Sequence, residues 1–227
     1  MHVRPDLSFV PDAALEIRAG QLLQRYTQAY GPVTEFPVPV EHIADLLLEL
    51  DLLWEPIPDG PAVWTLAYLD PANRRVGLNE AHRAHFDTFF GTYEFTLAHE
   101  IGHLLLHLSD AELLPLPFPA EAGAERRGYL CRSPGDAAGV TSQQYDRREV
   151  QANRFAGYLL LPEDLLRAAA RGRDLTRRAD LDQLRALANV SMAALQIRLQ
   201  GLGWLYVAPD GTRFHSRGEA EGQPRLF

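Results

Sequence analysis

Apolar positions recur at helical spacing over residues 12 to 30 and stop at Gly31-Pro32, which predicts a first helix. Prolines then precede "VEHIADLLLEL", a second amphipathic stretch over roughly 40 to 50. "LLWEPI", "AVWTLAYLD" and "RRVGLN" read as three short strands, the last two joined by the turn "DPAN". They predict a small sheet, antiparallel at that hairpin. A strongly apolar helix follows from about Tyr93 to Leu108, and "YDRREVQANRFAGYLLLP" predicts another, stopped by Pro162. Between these two lies an irregular stretch, 109 to 144, with four prolines and the only cysteine. So long a loop in a compact domain is functional or mobile. Short helices are expected near 163 to 170, 180 to 189 and 191 to 201, then a hairpin over 204 to 215 and a disordered polar tail. The organisation is one main domain at 1 to 162 interrupted by 109 to 144, a helical segment at 163 to 203, and a terminal hairpin and tail at 204 to 227.

Composition narrows the setting. No run of about 18 apolar residues occurs, so no membrane span is expected, and the N-terminus lacks the basic start and apolar run of a signal peptide. One cysteine, Cys131, cannot form an internal disulfide, which suits a cytoplasmic protein. The net charge of −8 argues against a surface built to coat nucleic acid. All 22 cationic residues are arginine, which reads as genome composition bias rather than design.

The chemistry concentrates in "TLAHEIGHLLLH", residues 96 to 107. Histidines four apart project from one helix face, so His99 and His103 can both reach one Zn²⁺ at about 2.0–2.1 Å. Glu100, one residue after the first histidine, is placed to act as general base on a water. Gly102 leaves room beside the second ligand. The competing reading is a chance match in a core helix that happens to carry histidines. A catalytic zinc needs a third protein ligand. A histidine six residues past His103 would serve, but Ser109 stands there. His107 lies a turn too far along the axis and reads as a surface histidine or one that supports the site. Glu149 on the later helix can complete a His/His/Glu set, with Asn153 four residues on bonding the far side of a ligand imidazole. Alternatively, Glu149 is a solvated charge.

The pair "FTLAHEIGHLLLH" and "EVQANRFAGYLLLP", supported by "PVEHIADLLLELDLLWEPI", "VGLN" and "LDQLRALANVSMAALQIRLQGLGWL", resembles the ImmA/IrrE family of metallopeptidases. The resemblance covers roughly residues 38 to 205. It implies an α+β, gluzincin-like (minimal zincin) fold with a small antiparallel sheet, two active-site helices and a helix-turn-helix-like C-terminal segment. It implies Zn²⁺ on His99, His103 and Glu149, with Glu100 as base. It implies cleavage of helix-turn-helix (XRE-type) repressors, which switches on mobile-element, DNA-damage or phage-defence genes. The CapP-like branch tied to antiphage operons is a candidate subgroup, and its trigger is thought to be single-stranded DNA. Two features depart from the family: Gln151 stands where an acidic residue is commoner, and the gap from His103 to Glu149 is longer.

That extra length carries Cys131. A thiolate binds zinc well, so Cys131 is a candidate inhibitory ligand that fills the open position and holds the enzyme latent. The bland alternative is a small buried hydrophobe. Arginines 126, 127, 132, 147 and 148 could contact phosphates, although Glu121, Glu125, Asp136 and Asp146 dilute them. Tyr93, Tyr145 and Tyr158 are candidate oxyanion donors, and "RRVGLN" is a candidate strand for pairing with a peptide. The rival function is a non-proteolytic repressor- or DNA-binding protein. It would use the helix at 191 to 201 to offer Gln196, Arg198 and Gln200, with Ser191 as N-cap.

Overall fold

The computed structural model describes residues 10–60, 63–89, 91–107, 114–115, 127–132 and 147–222. Helix α1 (Asp12–Tyr30) is followed by a single helical turn, α2 (Val40–His42), that continues as a π-helical turn, Ile43–Leu47. Strands β1 (Asp51–Glu55), β2 (Thr65–Asp70) and β3 (Arg75–Asn79) come next. A 3₁₀ turn, Glu80–His82, leads into α3 (Arg83–Thr88), which the apolar pattern did not announce. Then come α4 (Thr92–Leu106), β4 (Leu114–Pro115), β5 (Arg127–Arg132) and α5 (Arg147–Leu160). The chain closes with α6 (Glu163–Ala169), α7 (Arg178–Ala188), α8 (Met192–Gly201), the pair β6 (Tyr206–Val207) and β7 (Arg213–Phe214), and α9 (Arg217–Ala220).

Four expectations need correction. The β2–β3 hairpin is antiparallel as expected, but the main sheet as a whole is mixed rather than antiparallel, with order β1-β3-β2-β5-β4 and β1 parallel to β3. The "RRVGLN" strand, β3, is therefore bonded on both sides, by β1 and by β2, and has no free edge for a substrate. The stretch 109 to 144 is not wholly irregular, because β5 pairs antiparallel with β2 and β4 adds to its far side. Six residues among prolines and glycines show too little alternation to announce a strand; a partner edge on β2 supplies the hydrogen bonds that make one. The tail, lastly, begins with α9, where the Ser216 hydroxyl accepts the Glu219 amide at 3.2 Å.

The loop from β1 to β2 is anchored by the Asn79 side chain, beside the Asp59 carboxylate that accepts from the Thr65 amide at 2.8 Å. Asn79 is fully buried, and its Nδ2 donates to the carbonyls of Ile57 (2.9 Å) and Thr65 (2.7 Å). Its Oδ1 accepts from the amides of Ile57 (3.2 Å) and Ala81 (3.1 Å). Every capacity of the amide is used, so it can sit in the core without the cost of an unpaired polar group.

Helix α4 is buried around most of its circumference from Thr96 to Leu104. It is therefore a central helix, with the sheet on one side and α5 on the other. Packing does not break at residue 162: Leu181, Leu184, Leu195 and Leu199 share a single core with Leu97, Ile101 and Phe155. Arg198, expected on a DNA-reading face, is 6% exposed. Its Nε donates to the Leu161 carbonyl at 2.9 Å, it pairs with Glu16, and its guanidinium lies over the Tyr158 ring. It ties α8 to α1 and α5. Among the described residues, no helix is long and apolar enough to cross a membrane.

Gly102 sets how closely α5 approaches α4. A Cβ there would lie 3.1 Å from the Ala152 Cα, 3.2 Å from its carbonyl oxygen and 3.3 Å from the Phe155 ring. Two of these neighbours are helix backbone and cannot swing aside. Gly102→Val should thus cost about 1–3 kcal/mol by overpacking, read as a lower urea midpoint. An unchanged midpoint would show that the helices can separate freely.

Candidate metal centre

The α4–α5 contact brings the expected donor set together. His99, Glu100 and His103 are buried in α4, and Glu149 reaches them from the first turn of α5. His99 Nε2 and His103 Nε2 face each other at 3.0 Å. Glu149 Oε2 lies 3.3 Å from the first and Oε1 3.2 Å from the second. Four ligands at about 2.0–2.1 Å around a tetrahedral ion stand about 3.3–3.4 Å from one another. The three observed edges are close to that figure. Two imidazole nitrogens cannot present lone pairs to each other at 3.0 Å without a cation or a proton between them.

The surroundings fix the direction of these groups. Asn153, one turn after Glu149, places Oδ1 2.9 Å from His99 Nδ1. That nitrogen donates, so Nε2 is the one left to bind. Burial works to raise the Glu149 pKa, but the adjoining His103 and His99 rings outweigh it and hold the carboxyl far below its ordinary range. Burial lowers the His103 pKa, partly offset by Glu149. Both keep the donors in the form that binds metal. Glu100 is the opposite case. It is fully buried, neither carboxyl oxygen has a hydrogen-bond partner among the described residues, and burial together with the nearby Glu149 charge pushes its pKa well up. An orphaned carboxyl in this position costs stability unless a water or a cation satisfies it. On this chemistry the residues fit a divalent ion of the zinc type.

Cys131 comes from β5 to the same place. It is buried, and its sulfur, a nitrogen of His99 and a carboxyl oxygen of Glu100 lie within 4.8 Å of one another. Burial, then the Glu100 and Glu149 charges, push its thiol pKa well up. The approach is set by register. Residues two apart on a strand are about 6.6–6.8 Å apart, and residues four apart on a helix about 6 Å. Tyr129 and Cys131 accordingly meet His103 and His99 in turn: the Tyr129 ring stacks on His103 at 4.5 Å and 12°. Sequence reasoning passed over Tyr129, because nothing in the residues around it announced β5 as a strand.

Other expected residues stand elsewhere. Tyr93 is at the start of α4, stacked on Trp54 at 6.2 Å, with burial and then Glu41 raising its pKa. Tyr158 lies nine residues past Glu149, half a turn round the helix, under Arg198. The structure brings neither to the triad, because helix phase directs both away from the His99–His103 face. Tyr145 and Arg126 fall outside the described residues. Arg147 is exposed and Arg148 partly buried. His107 is not a surface residue: it is buried, with its ring 5.5 Å from His103, and Tyr129 Oη donates to its carbonyl at 2.6 Å.

Two facing helices on a mixed sheet, with a His/His/Glu cluster between them, define a minimal zincin-like α+β domain. Residues 63–200 match the peptidase M78 family, the IrrE N-terminal-like domain, and the chain belongs to that family. Membership points to a zinc-dependent metallopeptidase or an IrrE-like regulator. Among solved structures, a Mycobacterium tuberculosis transcriptional regulator is similar at 19% identity and a TM-score of 0.44. The similarity covers 83% of this chain but only 46% of that one, so this chain spans less than half of its length. No curated protein matches the sequence.

Asn153→Ala should lower zinc affinity about 10–100-fold, as loss of a group that orients a ligand histidine generally does. Competition against a chromophoric chelator measures this, with circular dichroism as the control for folding. Wild-type affinity in that variant would remove Asn153 from the site.

Proposed function

We propose that this chain is a zinc-dependent endopeptidase that cleaves a helix-turn-helix (XRE-type) repressor and so derepresses stress, phage-defence or mobile-element genes. One observation carries the proteolytic reading: a fully buried glutamate, without a hydrogen-bond partner among the described residues, adjoins a His/His/Glu cluster with metal-site spacing. The choice of a repressor as substrate rests on the family resemblance, and a cytoplasmic setting suits the free thiol.

His99, His103 and Glu149 would hold Zn²⁺, which supplies a Lewis acid for the water and the scissile carbonyl. Glu100 accepts a proton from the water as its oxygen adds to the carbonyl carbon. It returns that proton to the amide nitrogen as the C–N bond breaks. Asn153 keeps the His99 ring in place throughout.

The resting enzyme is latent in this reading. The Cys131 thiol stands against His99 and Glu100, where an entering water must come, and β5 covers the outer edge of β2. An activating signal would pull the segment that carries Cys131 away, and water would then enter. Single-stranded DNA is the trigger carried over from the resemblance, and adding oligonucleotides to the purified enzyme tests it.

Two variants test the whole. Glu100→Gln should abolish cleavage of the repressor, at least 10²-fold, with zinc retained. Undiminished function in that variant favours a binding protein that does not cut; the buried Arg198 already weakens that alternative. Cys131→Ala should cleave without the trigger, whereas activity no higher than wild type would remove the latch and leave the peptidase reading intact.

A further inference from the structure

We propose that Tyr129 is a positioning residue for His103, holding its imidazole by ring stacking on the side where Nδ1 has no hydrogen-bond partner among the described residues. The inference rests on the metal-centre reading and adds a residue to it. The two histidines of the cluster are supported differently. A ligand imidazole must not turn about its Cβ–Cγ bond, because rotation swings Nε2 away from the ion. On His99 that rotation is blocked by Asn153, which accepts from Nδ1 at 2.9 Å. On His103 the equivalent nitrogen, Nδ1, is buried and has no hydrogen-bond partner among the described residues.

Tyr129 takes the place of that bond. Its ring lies nearly parallel to the imidazole, 12° between planes and 4.5 Å between centroids. Turning the imidazole would drive its edge into the phenol face. A stacked plate can restrain a neighbour only if it is itself fixed, and Tyr129 is fixed at both ends. Its backbone sits in β5 opposite Leu69 of β2, and its hydroxyl donates to the His107 carbonyl at 2.6 Å. His107 follows α4 directly, and its amide donates to the His103 carbonyl at 3.0 Å. The phenol is thus clamped between the sheet and the end of the helix that carries His103. The stretch between the metal helices thereby contributes to the site through two residues of opposite character, a thiol beside His99 and an aromatic plate beneath His103.

The test uses the full chain and two readouts. Zinc affinity is measured by chelator competition in wild type, Tyr129→Phe and Tyr129→Leu. The His103 ring-proton shifts are measured by NMR on the metal-free proteins, since a stacked aromatic ring shields its neighbour. Tyr129→Leu should lose about tenfold in affinity and release the His103 shielding. Tyr129→Phe keeps the ring and its strand anchor and loses only the hydroxyl clamp, so it should stay within about threefold of wild type in affinity and retain the His103 shielding. Wild-type affinity or unaltered His103 shifts in folded Tyr129→Leu overturn the proposal. If Tyr129→Leu does not fold, Tyr129→Phe decides: a tenfold loss there assigns the hold to the hydroxyl and overturns the stacking role. Were wild type to bind no zinc, the peptidase reading would fail, and the shift comparison would still decide the role of Tyr129.

Discussion

The site depends on how closely α4 and α5 can approach. Glu149 is 46 residues beyond His103 in the chain, so only packing can bring its carboxylate within 3.2–3.3 Å of both imidazoles. Gly102 permits that packing by presenting no side chain to the Ala152 backbone. The glycine had a different reading from sequence alone, as a gap left beside the second ligand. In the structure the space is filled by the neighbouring helix.

Around that contact the polar groups form a graded environment. Glu149 is held ionised by the imidazoles, His99 is oriented by Asn153, and Glu100 is left buried without a hydrogen-bond partner among the described residues. A core designed for stability alone would not keep two histidines, a carboxylate and a carboxyl in one apolar helix pair, since each costs free energy to bury. Their retention together is the physical reason to regard the cluster as functional.

Local patterns made much of this legible. The spacings of His99 to His103 and of Glu149 to Asn153 are properties of single helices, and each helix announces itself by its apolar face. What could not be read depends on pairing across long stretches of chain. Nothing local distinguishes β3 as an interior strand, or shows that β1 runs parallel to it. Strand β5 is six residues long and needs the edge of β2 to exist. Arg198 looks exposed by residue type, yet its head group is absorbed by Glu16 and the Leu161 carbonyl. The tyrosines illustrate the same limit: residue type nominated Tyr93 and Tyr158, while helix phase and strand register brought Tyr129.

Zinc-edge X-ray absorption on the purified protein tests the central claim most directly, because it reads the ligands around the ion rather than their consequences. Joint binding by His99, His103 and Glu149 predicts two imidazole nitrogens and a carboxylate oxygen at about 2.0–2.2 Å, with a sulfur near 2.3 Å if Cys131 closes the site. A protein that retains no metal, or an ion surrounded by water without imidazole scattering, would contradict it.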